Sequence, residues 1–249
     1  MVRIYQILKS NILMIRARHL IPPLVFKLYE RMCGIEPPLW APLTDPVVKS
    51  YSQYNEDLVI SSLCEHKNNG FYIDIGAHHP TFHNNTKRLY DKGWHGVNIE
   101  PNPELYDLFI FDRPRDLNLN IGIGSISGKK EFFEFSSSSL SSFDCKSALK
   151  KSRNTGKIIR SYDVQMLTLA DLVKLHHIDE CDFLSIDTEG LDFDVLLSND
   201  WDTFRPQIIM IEYDSLNIHD LCDYLKSFDY SLAFRNHTNA IFISDLEKW

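Results

Sequence analysis

The sequence predicts an α/β fold built on a mostly parallel, seven-stranded sheet that ends in an antiparallel hairpin. Three observations support this fold. Short apolar runs of strand length alternate with helical segments from residue 52 onward, which is the pattern of a parallel sheet covered by helices. Several runs end in an acid, as at Asp74 and Glu100. The last two runs, at residues 230–235 and 240–244, are separated by a short polar turn, which predicts the hairpin.

The length and composition are those of a globular protein. The chain has 249 residues, of which 44% are hydrophobic and 24% are charged, so we expect no extensive disorder. The net charge of −8 argues against nucleic acid as a partner, because phosphate binding needs a basic face. The five cysteines are widely spaced and contain no CxxC pair, which predicts reduced thiols in a cytoplasmic protein rather than disulfides or a zinc site.

Residues 1–50 are predicted to form an N-terminal extension with a helical part and a proline-rich linker. Residues 1–31 carry six basic side chains against one acid, a charge of +5 that leaves −13 for the remainder of the chain. This basic, amphipathic segment fits either a helix packed on the domain or on a second copy of the chain, or a helix lying on the inner face of a membrane. No apolar stretch in it has the length of a membrane-spanning helix.

The first half of the predicted domain, which spans residues 51–249, contains four strands separated by helices. The strands are apolar or alternating runs, at residues 71–75, 96–100, 118–124 and 129–135. Ser52 is placed to cap the first helix. Gly93 closes a second helix over residues 84–92, and Pro103 begins the third.

The second half begins with a long polar insert. Residues 136–142 are serine-rich and residues 144–160 are polar and basic, which is typical of either a substrate loop or a solvated loop. Thr168 is placed to cap an amphipathic helix. The remaining strands are apolar or alternating, at residues 182–187, 206–213, 230–235 and 240–244.

Polar side chains lie at the ends of five predicted strands: Asp74, Glu100, Asn120, Asp187 with Glu189, and Glu212. The carboxyl ends of parallel strands meet at one edge of a sheet, so these groups should converge. Convergent acids suit a ligand with hydroxyls and an amine, and they do not suit a polyphosphate. The sequence has neither a phosphate-binding loop of the GxxxxGK[ST] type nor a GxGxxG turn, which argues against a nucleotide kinase and leaves a nicotinamide-dependent enzyme as a weaker alternative.

Five segments, taken in order, resemble the FkbM-type S-adenosylmethionine-dependent methyltransferases, whose fold is the Rossmann-like class I methyltransferase sandwich. The segments are Ser52-Gln53 with Glu56-Asp57, Tyr72-Ile-Asp-Ile-Gly-Ala77, Gly96-Val-Asn-Ile-Glu100, Phe183-Leu-Ser-Ile-Asp-Thr-Glu-Gly190 and Ile208-Ile-Met-Ile-Glu-Tyr213. The turn Gly76-Ala-His-His-Pro80 departs from the common Gly-Ala-Asn-x-Gly pattern. It resembles a subgroup linked to polysaccharide or glycolipid biosynthesis.

The resemblance implies an O-methyltransferase that uses S-adenosylmethionine and acts on a sugar hydroxyl of a glycan or glycolipid acceptor. Glu100 would bind both ribose hydroxyls, and Gln53 and Glu56 would close over the cofactor. The full set of implied cofactor-binding residues is Gln53, Glu56, Asp74, Gly76, Ala77, Glu100, Pro101, Asn102, Asn120, Ile121 and Gly122.

An alcohol is a poor nucleophile until its proton is removed, so we expect a catalytic base. The candidates are Asp187, Glu189, His78 and His79. A divalent cation, Mg²⁺ or Mn²⁺, held by Asp187, Glu189 and Glu212 would instead lower the pKa of the hydroxyl. Simpler roles stay open: the histidines could bond the turn backbone, and the acids could cap a helix. The alternative function is a non-catalytic binding protein of this fold in an envelope-glycan assembly complex.

Overall fold

The computed structural model describes residues 49–144, 146, 149, 157–213 and 216–246. The chain divides into two units, Met1–Lys49 and Ser50–Trp249. The predicted helical extension and linker lie outside the described residues, apart from Lys49 and Ser50, so the predicted roles of the basic segment stay predictions. Within the described ranges, no helix is both long enough and apolar enough to cross a membrane.

The described residues form ten strands and six α-helices, and a short 3₁₀ helix covers Ser138–Leu140. The strands are β1 Phe71–Ile75, β2 His95–Ile99, β3 Leu117–Leu119, β4 Gly122–Ile123, β5 Gly128–Phe135, β6 Ile158–Leu167, β7 Phe183–Ile186, β8 Ile208–Glu212, β9 Tyr230–Arg235 and β10 Asn239–Ser244. The helices are α1 Glu56–Leu63, α2 Lys87–Asp91, α3 Pro103–Asp112, α4 Leu169–Leu175, α5 Asp192–Leu197 and α6 Ile218–Lys226.

Seven strands form the main sheet, in the order β3-β2-β1-β7-β8-β10-β9. Strands β3, β2, β1, β7 and β8 pair in parallel, whereas β10 is antiparallel to both β8 and β9. The last strand of the chain therefore inserts between β8 and β9. The prediction of a mostly parallel, seven-stranded α/β sheet with a C-terminal antiparallel hairpin is confirmed.

A second, three-stranded sheet, in the order β4-β6-β5, was not predicted. The run predicted as one strand at residues 118–124 divides into β3 in the main sheet and β4 in the small sheet. Strand β6 begins inside the segment predicted to be a polar loop. Its first four residues are solvent-exposed, and its apolar alternation is confined to Tyr162, Val164 and Met166 in its second half, so the beginning of the strand is not recognisable from sequence.

Apolar side chains cover both faces of the main sheet. Successive residues of β8 point to opposite faces, so Ile209 and Ile211 join one buried cluster while Ile208 and Met210 join the other. Helices α4, α5 and α6 contribute to the first cluster, and α1 and α2 contribute to the second. The sheet is thus the middle layer of a three-layer sandwich, and its polar groups can meet ligands only at its edges.

Local side-chain bonds set where two helices begin. Helix α1 begins at Glu56 after Asn55, whose φ is 70°, rather than after Ser52 as predicted. The Ser52 hydroxyl still accepts a hydrogen bond from the backbone N–H of Asp57 at 2.9 Å. Helix α2 is shorter than predicted, because the side-chain oxygen of Asn84 accepts the backbone N–H of Lys87 at 2.7 Å and holds the preceding residues in a turn.

The strand register places the predicted acids at one edge. Ile75 of β1 pairs with Ile99 of β2 and with Ile186 of β7, and Ile186 pairs with Ile211 of β8. The next residue along each strand is Gly76, Glu100, Asp187 and Glu212, respectively. These four residues therefore stand side by side at the carboxyl edge, where ligands bind in open parallel sheets.

Candidate active site

A cavity of about 920 Å³, counting space open to solvent, lies at the carboxyl edge of the main sheet. Most of the residues predicted to bind the cofactor line it, namely Gln53, Asp74, Gly76, Ala77, Glu100, Pro101, Ile121 and Gly122. Three of the predicted catalytic residues also line it, namely His78, Asp187 and Glu189. Its concave shape and its mixed polar and apolar walls are those of a small-molecule site.

The turn after β1 forms the floor of the cavity. Gly76 has a φ of 78°, and the backbone N–H groups of Gly76 and Ala77 both donate to the Ile99 carbonyl at 3.0 Å. A Cβ atom at position 76 would lie 1.7 Å from the Asp187 carbonyl oxygen. Both the backbone angle and the close approach of the β7 end therefore require glycine.

Gly76→Ala is expected to lower the free energy of unfolding by about 2 kcal/mol more than Gly93→Ala does, because an extra atom must be forced into packed backbone. Gly93 is a matched control: its φ is 103°, but a Cβ there would meet only Asn69 Oδ1, at 3.5 Å. Urea unfolding of the two variants measures the difference. Equal losses of stability would show that the turn can move away from Asp187.

Glu100 is a buried carboxylate at the end of β2, with a relative exposure of 5%. One of its oxygens accepts the backbone N–H of His78 and the other accepts that of Asn102, each at 2.8 Å. A carboxylate oxygen has more than one acceptor position, so each oxygen can accept a further hydroxyl. Burial raises the pKa of Glu100 to about 8. The geometry fits a vicinal diol such as a ribose.

The two neighbouring histidines occupy different surroundings. His78, with a φ of 54°, lines the cavity, and its Nε2 lies 2.9 Å from the Ser138 hydroxyl. Burial lowers its pKa to about 4, so its imidazole is neutral at physiological pH. His79 does not line the cavity, and its Nδ1 accepts the backbone N–H groups of Thr81 and Phe82 at 3.1 and 3.2 Å. Its position fits the turn-bonding alternative rather than the predicted role as a base.

The turn after β7 holds Glu189 in a strained conformation, with a φ of 55°. One oxygen of the buried Asp192 accepts the backbone N–H of Thr188 at 2.7 Å, and the other accepts that of Gly190 at 3.1 Å. The Ser142 hydroxyl donates to the Glu189 carbonyl at 2.8 Å. A left-handed non-glycine residue persists only where its surroundings fix it, as is common at functional sites. Helix α5 begins after Leu191 and has no side-chain cap, so a capping role does not account for Glu189.

Asp187, Glu189 and Glu212 come together as predicted. One carboxylate oxygen of each lies within 4.8 Å of those of the other two, and all three residues are half-buried. Carboxylate oxygens are hard donors of the kind that Mg²⁺ and Mn²⁺ prefer. The donor set therefore fits a divalent cation, although acidic groups also cluster without one, and the cation stays a prediction.

Three residues predicted to contact the cofactor do not line the cavity. The fully buried Glu56 accepts the backbone N–H of Tyr54 at 2.9 Å and the side-chain amides of Asn236 and Asn239 at 2.8 Å each. Asn102 caps α3, and the Asn120 amide donates to the Glu100 and Pro101 carbonyls at 2.8 and 3.0 Å. All three instead fix backbone that borders the cavity.

The sequence did not indicate that the small sheet would contribute to the cavity. Phe132 of β5 and Phe143 line it, as do the serine-rich residues Ser138, Ser139 and Ser141. The two phenyl rings lie 4.8 Å apart between centroids, next to Gly122. The only signal was the serine-rich composition of residues 136–142, which was compatible with a substrate loop.

Comparison with known proteins gives a family and little else. The family model described as the methyltransferase FkbM domain matches residues 74–232, more than half of the chain. No curated protein matches this chain. A precorrin-6y C5,15-methyltransferase from Geobacter metallireducens is 11% identical, with a TM-score of 0.39 over 80% of this chain and 91% of that one. A Staphylococcus aureus structure, provisionally assigned as a caffeoyl-CoA O-methyltransferase, is 12% identical, with a TM-score of 0.36 over 95% of this chain and 99% of that one.

Both TM-scores are too low to carry an argument about activity, so the family rests on the sequence match. That match begins at Asp74 and ends at Leu232. It takes in the strand ends that carry Glu100, Asp187 and Glu212, together with the turn that holds Glu189. This chain belongs to the FkbM methyltransferase family.

Proposed function

We propose that this chain is an S-adenosylmethionine-dependent O-methyltransferase that methylates a sugar hydroxyl in polysaccharide or glycolipid biosynthesis. Membership of a methyltransferase family implies the use of S-adenosylmethionine. The observation that carries the proposal is the division of one cavity into two chemically different ends. Both groups line the cavity, and they follow strands on opposite sides of β1: Glu100 follows β2, whereas Asp187 and Glu189 follow β7.

The residues at the Glu100 end fit the cofactor. The carboxylate of Glu100 is placed to accept two ribose hydroxyls, while its existing bonds to the backbone hold it still. Pro101, Ile121 and Gly122 offer apolar surface for an adenine ring. Asp74 lies on the neighbouring strand, where its carboxylate suits the amino group of the methionine part. A ligand held at these points would direct its sulfonium toward the ends of β7 and β8.

The residues at the Asp187 end fit proton removal from an acceptor. When bound, S-adenosylmethionine supplies an activated methyl group for in-line displacement by a nucleophile. The protein has to orient the acceptor hydroxyl and take its proton. Glu189 is the base that the geometry favours, because it lines the cavity and its turn is fixed by Asp192 and Ser142. His78 is a weaker candidate, because burial lowers its pKa to about 4.

Acids suit sugar recognition as well as proton transfer. Carboxylates of Asp187, Glu189 and Glu212 can accept hydrogen bonds from several hydroxyls of one sugar ring. Ser138, Ser139 and Ser141 add hydroxyl groups that can both donate and accept. The predicted resemblance of the Gly76–Pro80 turn to a glycan-modifying subgroup points to the same class of acceptor.

Binding and turnover test the proposal separately. Calorimetry should detect binding of S-adenosylmethionine and S-adenosylhomocysteine, and no heat of binding at millimolar ligand would contradict it. Methyl transfer is followed with cofactor labelled by tritium in the methyl group and with the glycan and glycolipid fraction of the source cells as acceptor. Binding without transfer would favour the non-catalytic alternative. Release of the label as methyl iodide on heating the product with hydriodic acid identifies a methyl ether and distinguishes O-methylation from C-methylation.

A metal requirement is a separate prediction. Asp187, Glu189 and Glu212 would hold the cation, which would supply a lower pKa for the acceptor hydroxyl. A cation acting in place of the base predicts that EDTA abolishes methyl transfer and that Mg²⁺ or Mn²⁺ restores it, while S-adenosylhomocysteine binding stays within about twofold because Glu100 lies on another strand. Full activity after exhaustive EDTA treatment would exclude the cation and leave proton removal to Glu189.

A further inference from the structure

Arg113 is a fully buried arginine directly after α3, with a relative exposure of 0%. The nearest carboxylate oxygen paired with it is Oδ2 of Asp116, 3.7 Å from Nη1. That distance is too long for a hydrogen bond, and Asp116 instead accepts the Tyr72 hydroxyl at 2.5 Å. Burying a guanidinium is costly unless its donors are satisfied. The partners of those donors therefore show what the arginine holds in place.

The guanidinium donates mainly to the turn that follows β1. Its Nε and Nη2 both donate to the Pro80 carbonyl, at 3.2 and 2.6 Å. Nη2 also donates to the side-chain oxygen of Asn84 at 2.9 Å, and Nη1 donates to the Tyr72 hydroxyl at 3.0 Å. Three of these four bonds thus reach the turn between β1 and α2: two reach Pro80, two residues after the cavity-lining His78, and one reaches Asn84, which itself lines the cavity.

Asn84 connects the Arg113 guanidinium to two other residues that line the cavity. Its amide donates to the Ala77 carbonyl at 3.2 Å and lies 3.4 Å from Oδ2 of Asp74. The same Asp74 oxygen accepts the Thr86 hydroxyl at 2.9 Å. Asp74, Ala77 and Asn84 all line the cavity. A continuous chain of hydrogen bonds therefore runs from the buried guanidinium to a carboxylate at the cofactor end.

We propose that Arg113 is a positioning residue for cofactor binding: it fixes the turn after β1 through Pro80 and orients Asp74 through Asn84. This inference rests on the proposed use of S-adenosylmethionine. A lysine cannot reproduce the arrangement, because its single ammonium lacks the planar fork that reaches Pro80, Asn84 and Tyr72 together.

Arg115 provides a matched control two residues away. Its Nη2 donates to the Tyr90 carbonyl at 2.5 Å and to the Trp94 carbonyl at 3.4 Å, and its guanidinium lies 3.8 Å from the centroid of the Tyr90 ring. The Arg113 guanidinium contacts the same ring, at 4.6 Å, but the hydrogen bonds of Arg115 join α2 to the residue before β2 and do not reach the turn after β1. Loss of Arg115 should therefore affect packing and leave the hydrogen bonds to that turn in place.

The test measures S-adenosylhomocysteine binding by calorimetry for Arg113→Lys, Asn84→Ala, the double variant and Arg115→Lys. Each is measured at a temperature where circular dichroism shows it to be folded. We expect Arg113→Lys and Asn84→Ala each to raise the dissociation constant about tenfold. The dissociation constant of the double variant should be no higher than that of the weaker-binding single variant, because both residues act through the same chain of hydrogen bonds. Arg115→Lys should bind like the wild type.

Steady-state kinetics supply a second readout, in which Arg113→Lys should raise KM for S-adenosylmethionine and leave kcat unchanged. A folded Arg113→Lys that binds like the wild type would overturn the inference, as would additive effects in the double variant. If Arg113→Lys does not fold, a wild-type dissociation constant for Asn84→Ala would overturn it instead. Failure of the wild type to bind S-adenosylhomocysteine would overturn the proposed function, and this inference with it.

Discussion

Glu100→Gln is expected to weaken S-adenosylhomocysteine binding about 100-fold, or about 3 kcal/mol. The substitution keeps the size of the side chain but removes the charge that two ribose hydroxyls would bond, and hydrogen bonds to charged groups contribute about 1.5 to 3 kcal/mol each. In the wild type, the backbone N–H groups of His78 and Asn102 each donate to an oxygen of Glu100. The amide NH₂ of glutamine would replace one of these oxygens and face one of the two N–H groups, donor against donor. Calorimetry on the folded variant measures the loss.

Glu104→Gln is the matched control for this variant. Glu104 lies on the exposed face of α3, four residues away, and its carboxylate pairs with Arg160 at 2.9 Å. Surface pairs of this kind contribute little, so the control should bind S-adenosylhomocysteine like the wild type. A dissociation constant for Glu100→Gln within about threefold of the wild type would exclude Glu100 as the ribose ligand.

The same carboxylate predicts how binding depends on pH. The pKa of Glu100 is raised to about 8, chiefly by burial; the backbone N–H groups of Asn102 and His78 oppose this rise, and the charges of Asp74 and Glu134 add to it. The ligand should prefer the ionised form, so affinity should fall as pH drops below 8, by up to about tenfold per unit. Glu100→Gln should abolish this dependence, and an unchanged pH profile in the variant would assign it to another group.

Glu189→Gln is expected to lower methyl transfer by about 100-fold or more, since a positioned base contributes about 10² to 10⁴ in rate. Glutamine preserves the shape of the side chain and cannot take a proton. Binding of S-adenosylhomocysteine should change by less than about twofold, because the turn is held through the Glu189 backbone by Ser142 and its neighbours by Asp192. The rate is measured with tritiated methyl donor and the glycan fraction of the source cells.

Glu131→Gln controls for a general effect of removing one negative charge. Glu131 is exposed on β5, where its carboxylate accepts the Ser161 hydroxyl at 2.7 Å. The Glu131→Gln variant should transfer methyl groups at the wild-type rate. Wild-type turnover in Glu189→Gln would reject Glu189 as the base, and it would shift attention to Asp187 and to the cation that both acids could hold.

The main sheet could be predicted because its strands are buried on both faces. Runs such as Phe71–Ile75 and Ile208–Glu212 are nearly continuous in apolar residues, and a parallel sheet covered by helices requires that composition. Strand β6 has no such continuous run, because it pairs with β4 and β5 in the small sheet and is exposed over much of its length. Its first residues, Ile158 and Ile159, are exposed. Pairing of this kind depends on a distant partner rather than on local sequence.

The site could be predicted as far as strand ends determine it. Parallel register places Gly76, Glu100, Asp187 and Glu212 side by side at the carboxyl edge, and it places Asp74 two residues before that edge. Side chains on the flanking loops are different, since their direction depends on tertiary partners. Glu56 turned away from the cavity because two asparagine amides far along the chain satisfy its buried carboxylate. A sequence motif shows which residue type occupies a position, but it does not show which side chain that residue will bond in the folded protein.

The hydrogen bonds of the Glu56 carboxylate also affect the order in which parts of the chain can fold. Its partners Asn236 and Asn239 lie 180 and 183 residues further along the chain. Closing so long a loop costs entropy that only a nearly complete sheet can offset. During synthesis, the segment that contains Gln53 and Glu56 can therefore reach its final position only after the β9–β10 hairpin has left the ribosome. A chain truncated before β9 should retain most strands of the sheet and still lack a finished entrance to its cofactor site.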